Sequence, residues 1–113
     1  MFFNDLLIPI SDAGTVSGVL HVDASATQHV RAALVGDTEI GVPLNPVDGA
    51  SLELWLNASG GDRSVTLDPS IALGLNGSDL FPWVVSAGQT IFLTLRYDGH
   101  RALWFVTSII GGY

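Results

Sequence analysis

The sequence predicts an all-β protein: an antiparallel β-sandwich of the jelly-roll or immunoglobulin-like kind, with about seven or eight short strands and an extended N-terminal segment. Two observations lead to this prediction. Helix signals are almost absent from the 113 residues, and glycine, proline and small polar residues interrupt the chain about every eight to twelve residues. Between these interruptions, apolar and polar residues alternate with the period of a strand.

The alternation predicts seven strands. It is clearest in "TIFLTLRY", where Ile91, Leu93 and Leu95 share one face and Phe92 and Thr94 the other. The same criterion predicts strands over residues 16–23, 28–35, 39–42, 51–57, 63–67, 90–97 and 102–109.

Turn-forming residues separate the predicted strands. Asp98-Gly99 predicts a tight hairpin turn with positive φ angles, and Gly36-Asp37 predicts a similar but weaker one. Residues 57–62 predict a longer, flexible hairpin loop, and residues 45–49 predict another turn. Residues 70–87 are the least regular stretch, and we expect them to cross between two sheets.

The chain divides into a first segment, residues 1–13, and a single sandwich domain, residues 14–113, with a turn predicted at 11–14. The first segment is either an edge strand of the sandwich or an arm that docks on a neighbouring subunit. Both alternatives are extended, because Pro9 disfavours helix at Ile8. The segment is rich in large apolar residues: Phe2, Phe3, Leu6, Leu7 and Ile8.

Composition excludes several classes of partner. The net charge is −7 and the chain has no lysine, so we expect neither nucleic acid nor an anionic membrane surface as a partner. Without cysteine, disulfides and thiolate metal sites are excluded. We expect no signal peptide, because the first residues lack a positively charged region. Only 13% of residues are charged and 48% are hydrophobic, which predicts burial against copies or a partner.

Motifs for chemistry are missing. There is no Gly-x-Ser-x-Gly elbow and no glycine-rich phosphate loop, and the acidic residues are scattered one per turn. We therefore expect no catalysis and no cofactor. His21, Asp23 and His29 resemble a zinc ligand set in spacing, but exposed polar positions on paired strands give the same pattern, so we predict no metal.

The aromatic residues carry the functional prediction. Trp55 lies opposite the face of its leucine neighbours, and of the adjacent Trp104 and Phe105 one must leave the core. Either loops or the N-terminal segment cover these rings, or the rings anchor a protein–protein interface. The scarcity of charge favours the interface, whose predicted residues are Phe2, Phe3, Leu6, Leu7, Ile8, Trp55, Trp83, Phe92 and Trp104.

Four segments resemble a known module. They are "HVRAALVGDTEIGVPLNPVDG", "ASLELWL" with the following "RSVTLDPSI", "AGQTIFLTLRYDG" and "RALWFVTSIIGGY". Over residues 14–113 the chain is similar to a small β-sandwich of tailed-bacteriophage virions, found in head-decoration and other accessory structural proteins. The resemblance implies a protein, often a trimer, that stabilises a capsid by binding outside it where capsid subunits meet.

We therefore expect a non-enzymatic head decoration (cement) protein, made in the host cytoplasm and located on the capsid surface of the virion. Its expected partners are the major capsid protein and copies of itself, as a homotrimer. One alternative is a tail-tip or fibre module that binds a receptor or carbohydrate, with Trp83, Trp104 or Tyr113 as a stacking platform. A small hydrolase is a third alternative.

Overall fold

The protein is all-β over residues 10–74 and 80–113, the part of the chain that the computed structural model describes. Alternating apolar and polar residues form several of the strands, as predicted. There are seven: β1 (Ile10–Leu20), β2 (His29–Ile40), β3 (Ser51–Ala58), β4 (Arg63–Leu67), β5 (Trp83–Val85), β6 (Thr90–Asp98) and β7 (Leu103–Ile110).

The strands form one curled, mixed sheet in the order β5-β4-β2-β3-β6-β7, with β1 paired to β2. The centre of this sheet is β2. Its first half pairs with β3 and its second half with β4, and all the pairings of β2, including that with β1, are parallel. The pairs β3–β6, β6–β7 and β4–β5 are antiparallel. The prediction of an antiparallel sheet is therefore wrong for every pairing of β2. The hairpin predicted at residues 57–62 is also wrong, because β3 and β4 are not neighbours in the sheet.

A corner in the middle of β2 sets this topology. The predicted hairpin turn at Gly36-Asp37 is wrong, because the strand continues through these residues to Ile40. A Cβ atom on Gly36 would lie 2.9 Å from the Cβ of Ser17 in β1, so only glycine allows the two backbones to stack here. The Asp37 carboxylate accepts the Ser64 N–H at 2.9 Å and thereby ties the corner to β4.

The arginine of β4 also holds the corner. Arg63 Nε donates to the carbonyl oxygens of Leu34, at 3.3 Å, and Ser59, at 3.1 Å, and a second guanidinium nitrogen donates to Ser59 at 2.7 Å. The Leu34 carbonyl also accepts the Ser59 N–H at 2.9 Å, so these bonds join the corner of β2 to the residue after β3 and to β4. One of the four arginines is thus committed to the fold.

The predicted turn at residues 11–14 is also wrong. Strand β1 begins at Ile10 and runs through Gly14, with a register shift between Asp12 and Gly14. Residues 10–13 therefore belong to the sheet. The other predicted arm residues, Phe2, Phe3, Leu6, Leu7 and Ile8, lie outside the described residues.

The hairpin between β6 and β7 is confirmed, although its turn differs in detail. The positive φ angle falls on Ala102, at 53°, and not on Asp98-Gly99. Gly99 is required for another reason, since a Cβ there would lie 2.9 Å from that of Asp48. Its N–H donates to the Asp48 carboxylate at 2.8 Å.

The inner face of the curl holds the core, and its ends approach each other. Leucines of β3 and β6 are fully buried. The Ala72 N–H donates to the Trp104 carbonyl at 2.8 Å, and the Ala72 carbonyl accepts from Val106 at 3.0 Å, so the segment after β4 reaches β7. A predicted two-sheet sandwich is not confirmed, because one continuous sheet surrounds this core. Strand β5, within the stretch expected to be irregular, was not predicted.

Candidate functional site

One row of residues crosses five strands on the outer face of the sheet, opposite the buried leucines of β3. In the pairing register, Asp12 lies beside Arg31, Arg31 beside Trp55, Trp55 beside Phe92, and Phe92 beside Ile110. Each strand supplies the outward member of its alternating pattern. The prediction that Trp55 and Phe92 share the outer face is confirmed.

Three contacts fix the Trp55 ring. Its Nε1 donates to Glu53 Oε1 at 2.6 Å. The Arg31 guanidinium lies 5.4 Å from the ring centroid, within reach of a cation–π interaction. Phe92 meets the ring edge-to-face, with centroids 5.4 Å apart and planes at 82°. The half-buried indole is thus held in one orientation before any partner arrives.

The apolar surface continues from Trp55 to the end of the chain. Phe92 and Tyr113 pack with ring centroids 5.7 Å apart, and the Thr90 N–H donates to the Tyr113 carbonyl at 2.7 Å. Ile110 is 51% exposed and Tyr113 is 70% exposed. We call Trp55, Phe92, Ile110 and Tyr113 the outer-face stripe. Apolar surface left in water carries a free-energy cost of about 25 cal/mol per Å².

A groove separates this stripe from β1. Its volume is ≈ 490 Å³. The floor of the groove carries the small side chain of Ala33. Beside it, the pairing of β1 with β2 has a register shift between Asp12 and Gly14. We call this cavity the outer groove; its lining residues are Asp12, Gly14, Thr15, Arg31, Ala32, Ala33, Trp55, Asn57, Thr90 and Phe92.

The prediction that Trp104 is an interface residue is wrong for the chain as described. Trp104 is only 2% exposed and packs against Tyr97, with centroids 5.3 Å apart. A bulge in β7 explains the error: Leu95 pairs with Val106 but Thr94 pairs with Ser108, so Thr107 is an extra residue. Before the bulge the even-numbered residues face the core, and after it they face outward.

The bulge therefore places Phe105 and Ile110 on the outer side of β7. Phe105 is half-buried, and the Arg101 guanidinium lies 5.6 Å from its centroid. Phe105 is the member of the adjacent aromatic pair that leaves the core.

Trp83 is half-buried on β5. Its ring lies against the end of the chain, since a Cβ on Gly111 would be 3.2 Å from Trp83 Cζ2. Trp83 therefore closes the curl between β5 and the residues after β7. The structure does not bring it together with Trp55.

The zinc alternative gains no support from the geometry. Within residues 10–74 and 80–113, no three side chains of the metal-binding types form a group that fits an ion. Asp23 instead joins two loops: its Oδ1 accepts from Ser25 Oγ at 2.6 Å, from the Ser25 N–H at 2.9 Å and from Asn45 Nδ2 at 3.2 Å. The Ser25 hydroxyl first, and then the Asn45 amide, hold the Asp23 pKa below its usual value.

Sequence reasoning missed part of the site. Ile110 was assigned no role, because the bulge that turns it outward leaves no local signal. Asp12, Asn57 and Thr90 line the groove only because the pairing register aligns β1, β3 and β6. The alternation of "QHVRAALV" predicts Arg31 on the face opposite Val30 and Ala32, and the structure confirms that direction.

No helix in the described part of the chain is long and apolar enough to cross a membrane. Comparison with protein-family models and with curated proteins finds no match to this chain.

Proposed function

We propose that this chain is a non-enzymatic structural protein of a tailed-bacteriophage virion, a head decoration protein that binds the outside of the capsid and bridges its subunits. The outer-face stripe is the observation that supports association of this chain with other proteins. The assignment to a phage head rests on the resemblance of four segments in residues 14–113 to virion β-sandwich modules.

The stripe has the composition of an interface centre. Aromatic residues and arginine are enriched at such centres, and tryptophan and arginine are frequent among the residues that dominate binding energy. Arg31 borders the stripe, beside Trp55. Because the Trp55 ring is already fixed by Glu53 and Phe92, binding a partner costs little further side-chain entropy.

The proposed partners are the major capsid protein and two further copies of this chain. A trimer seated where capsid subunits meet buries each outer face partly against its own copies and partly against the shell. About 800 Å² per partner is enough for a stable contact. A further exposed apolar group, Leu44 at 53% and Val47 at 64%, lies on the loop after β2 and supplies additional contact area.

The charge of the chain fits a position on the outside of a particle. With a net charge of −7, surfaces that remain exposed repel those of other particles and limit clumping. Repetition over a shell also multiplies a modest contact through effective concentration.

The β-sandwich of the virion family is part of the proposal. We infer that the curled sheet is a variant of that sandwich, in which one continuous sheet wraps the core that two sheets would enclose. The contact of Ala72 with β7 and the approach of Trp83 to Gly111 support this reading.

Co-sedimentation with phage particles tests the proposal. The protein is mixed with DNA-filled heads, and separately with tails, purified from the phage whose genome encodes it. We expect binding to heads only. Trp55→Ala should weaken binding about thirty-fold or more, since loss of a central tryptophan costs about 2 kcal/mol or more at such sites.

Val84→Ala is the matched control, because Val84 is 58% exposed on β5 and does not belong to the stripe. It should bind heads like the unmodified protein. Retention on tails but not heads would contradict the decoration role and favour the tail-tip or fibre alternative. Equal binding by the Trp55 variant would contradict the role of the stripe.

A further inference from the structure

We propose that the outer groove binds a neutral saccharide, with one pyranose ring seated between β1 and the pair Trp55–Phe92. This ligand goes beyond the proposed capsid contact. Because Trp55 and Phe92 belong to both the groove and the outer-face stripe, a partner on the stripe would cover the groove, and the sugar is proposed for the free subunit. The inference rests on the size of the groove, its aromatic wall, and the hydrogen-bonding groups and charges along its lining.

The dimensions suit a small ligand. Small-molecule sites are commonly about 300–1,000 Å³, and this groove measures ≈ 490 Å³. Its floor carries the small side chain of Ala33, between Thr15 of β1 and Asn57 of β3 in the register. Gly14 leaves one side open, because no atom lies within 4 Å of the position its Cβ would occupy.

The aromatic wall suits the apolar face of a sugar. A pyranose presents a face of C–H groups, whose hydrogens carry partial positive charge, and the face of an aromatic ring is negative. Trp55 and Phe92 both line the groove. Their edge-to-face contact and the hydrogen bond from Trp55 to Glu53 keep the wall in place.

The polar lining supplies both acceptors and donors. Asn57 Nδ2 donates to the Gln89 carbonyl at 3.2 Å and to Thr90 Oγ1 at 2.9 Å, which leaves Asn57 Oδ1 as an acceptor. Thr90 accepts that bond and keeps its own hydroxyl hydrogen to donate. Asp12 accepts the Gly14 N–H through Oδ1, at 2.8 Å, and retains Oδ2. Sugar hydroxyls, which donate and accept, match this mixed set.

The charges select a neutral sugar. Arg31 and Asp12 line the same groove and lie beside each other in the register, so their charges offset one another. The net charge of −7 further disfavours anionic ligands at long range. The guanidinium, held over Trp55, then acts as a donor to hydroxyl oxygens.

Titration of the isolated, ¹⁵N-labelled Ile110→Lys variant tests the inference without any phage particle. The lysine lies outside the groove lining and should keep the protein as a single chain, so the groove is free. The probes are glucose, galactose, mannose and N-acetylglucosamine, with glucuronate and glucosamine as charged comparators. At least one neutral sugar should shift the Trp55 indole signal and the Thr15, Ala33 and Thr90 amide signals saturably. We expect a Kd on the order of 1 mM, typical of a small open site, and binding of both charged sugars about five-fold weaker.

Two variants locate the site. Thr90→Val keeps the shape but removes one hydroxyl, and should weaken sugar binding about five-fold, the effect of one hydrogen bond. Ala33→Leu should fill the floor and abolish binding. Thr94→Val is the matched control: Thr94 lies on the same face of β6, outside the groove, and its substitution should leave the Kd unchanged.

The inference is overturned if no neutral sugar produces a saturable shift up to about 100 mM, a concentration far above the Kd expected here. It is also overturned if a charged sugar binds more tightly, or if Thr90→Val and Thr94→Val bind alike. Because the titration uses the free protein, its failure would leave the capsid assay unaffected, and failure of that assay would leave the sugar titration unaffected.

Discussion

Aspartate side chains hold the loops of this protein together. All seven aspartates in the described part of the chain accept a backbone N–H. Three of these bonds join distant segments: Asp37 to Ser64, Asp48 to Gly99 and Asp62 to Ala87. The scattered acids, interpreted from sequence as loop solvation, are therefore structural. Their positions follow the turns because each turn leaves N–H groups without a ladder partner.

Acid should destabilise the fold through Asp23 and Asp68. Hydrogen bonds from Ser25 and Asn45 lower the Asp23 pKa, and those from Ser70, backbone first, lower the Asp68 pKa, both from 3.8. The unfolded chain therefore binds protons more readily. The stabilisation that these two carboxylates provide is complete when the pH lies above their ordinary pKa. It is lost as the pH falls through the lower pKa of the folded state.

Thermal unfolding between about pH 6 and pH 2 measures this effect. The melting temperature of the unmodified protein should fall as pH drops below the ordinary carboxyl value of 3.8. A variant with Asp23→Asn and Asp68→Asn should be less stable at neutral pH and show a flatter decline. An unchanged slope in this variant would contradict the role of these two carboxylates.

Truncation of Trp104 should destabilise the protein much more than truncation of Phe105. Trp104→Ala removes a buried ring and should lower the free energy of unfolding by about 3–5 kcal/mol. Phe105→Ala, on the outer side, should lower it by about 1 kcal/mol. Denaturant titration compares the two.

Trp104→Phe is the informative control. Within the described residues the Trp104 indole N–H is buried with no acceptor, so replacement by phenylalanine keeps a ring and removes an unpaired donor. It should cost much less than Trp104→Ala. Equal losses for the Trp104 and Phe105 alanine variants would show that the assigned direction of β7 is incorrect.

At the scale of elements, the local pattern predicted strands well and their partners poorly. The bounds of β4 were predicted correctly, and those of β3 and β6 to within a residue. Period-two alternation is a local property, so sequence reveals it. Parallel pairing is not local: the chain passes from β1 to β2 and from β2 to β3 through residues 21–28 and 41–50. These connections are shorter than the dozen or more residues that usually join parallel strands, so their length gives no sign of parallel pairing.

For the candidate site as well, the sequence predicted which way side chains point but not which of them come together. Alternation alone turned Trp55, Phe92 and Arg31 outward. Their meeting in one row depends on the register of β2, β3 and β6, and the exposure of Ile110 depends on the extra residue Thr107. For the adjacent Trp104 and Phe105, alternation showed only that one of them leaves the core, and the pairing of β7 with β6 decides that it is Phe105.

The corner of β2 allows a test of the parallel pairing of β1 with β2. Gly36→Ala places a Cβ 2.9 Å from the Cβ of Ser17, a backbone-proximal atom that cannot swing aside. We expect a loss of about 1–3 kcal/mol in the free energy of unfolding. Ser17→Gly removes the opposing atom, so the double variant should lose less than the sum of the single variants, as measured by a double-mutant cycle. Additive losses would contradict the contact of β1 with β2 at this corner.

At the scale of the whole molecule, the apolar residues occupy two places. One set fills the inside of the curled sheet. The other is exposed on the outer face of the strands and on the loops, and it includes ten large apolar side chains of the described residues. The curl explains this division, because a small sheet wrapped around its own core has a large outer surface. The outer-face stripe is the part of that surface where aromatic rings are fixed and contiguous.

The native mass of the purified protein, measured by sedimentation equilibrium over a wide range of concentrations, tests most directly whether this outer face is a protein–protein contact. We predict the mass of three chains. Ile110→Lys, which places a charge in the stripe, should shift it toward one chain, and Val84→Lys on β5 should not. A single-chain mass for the unmodified protein at every concentration would contradict the proposed self-association through this face.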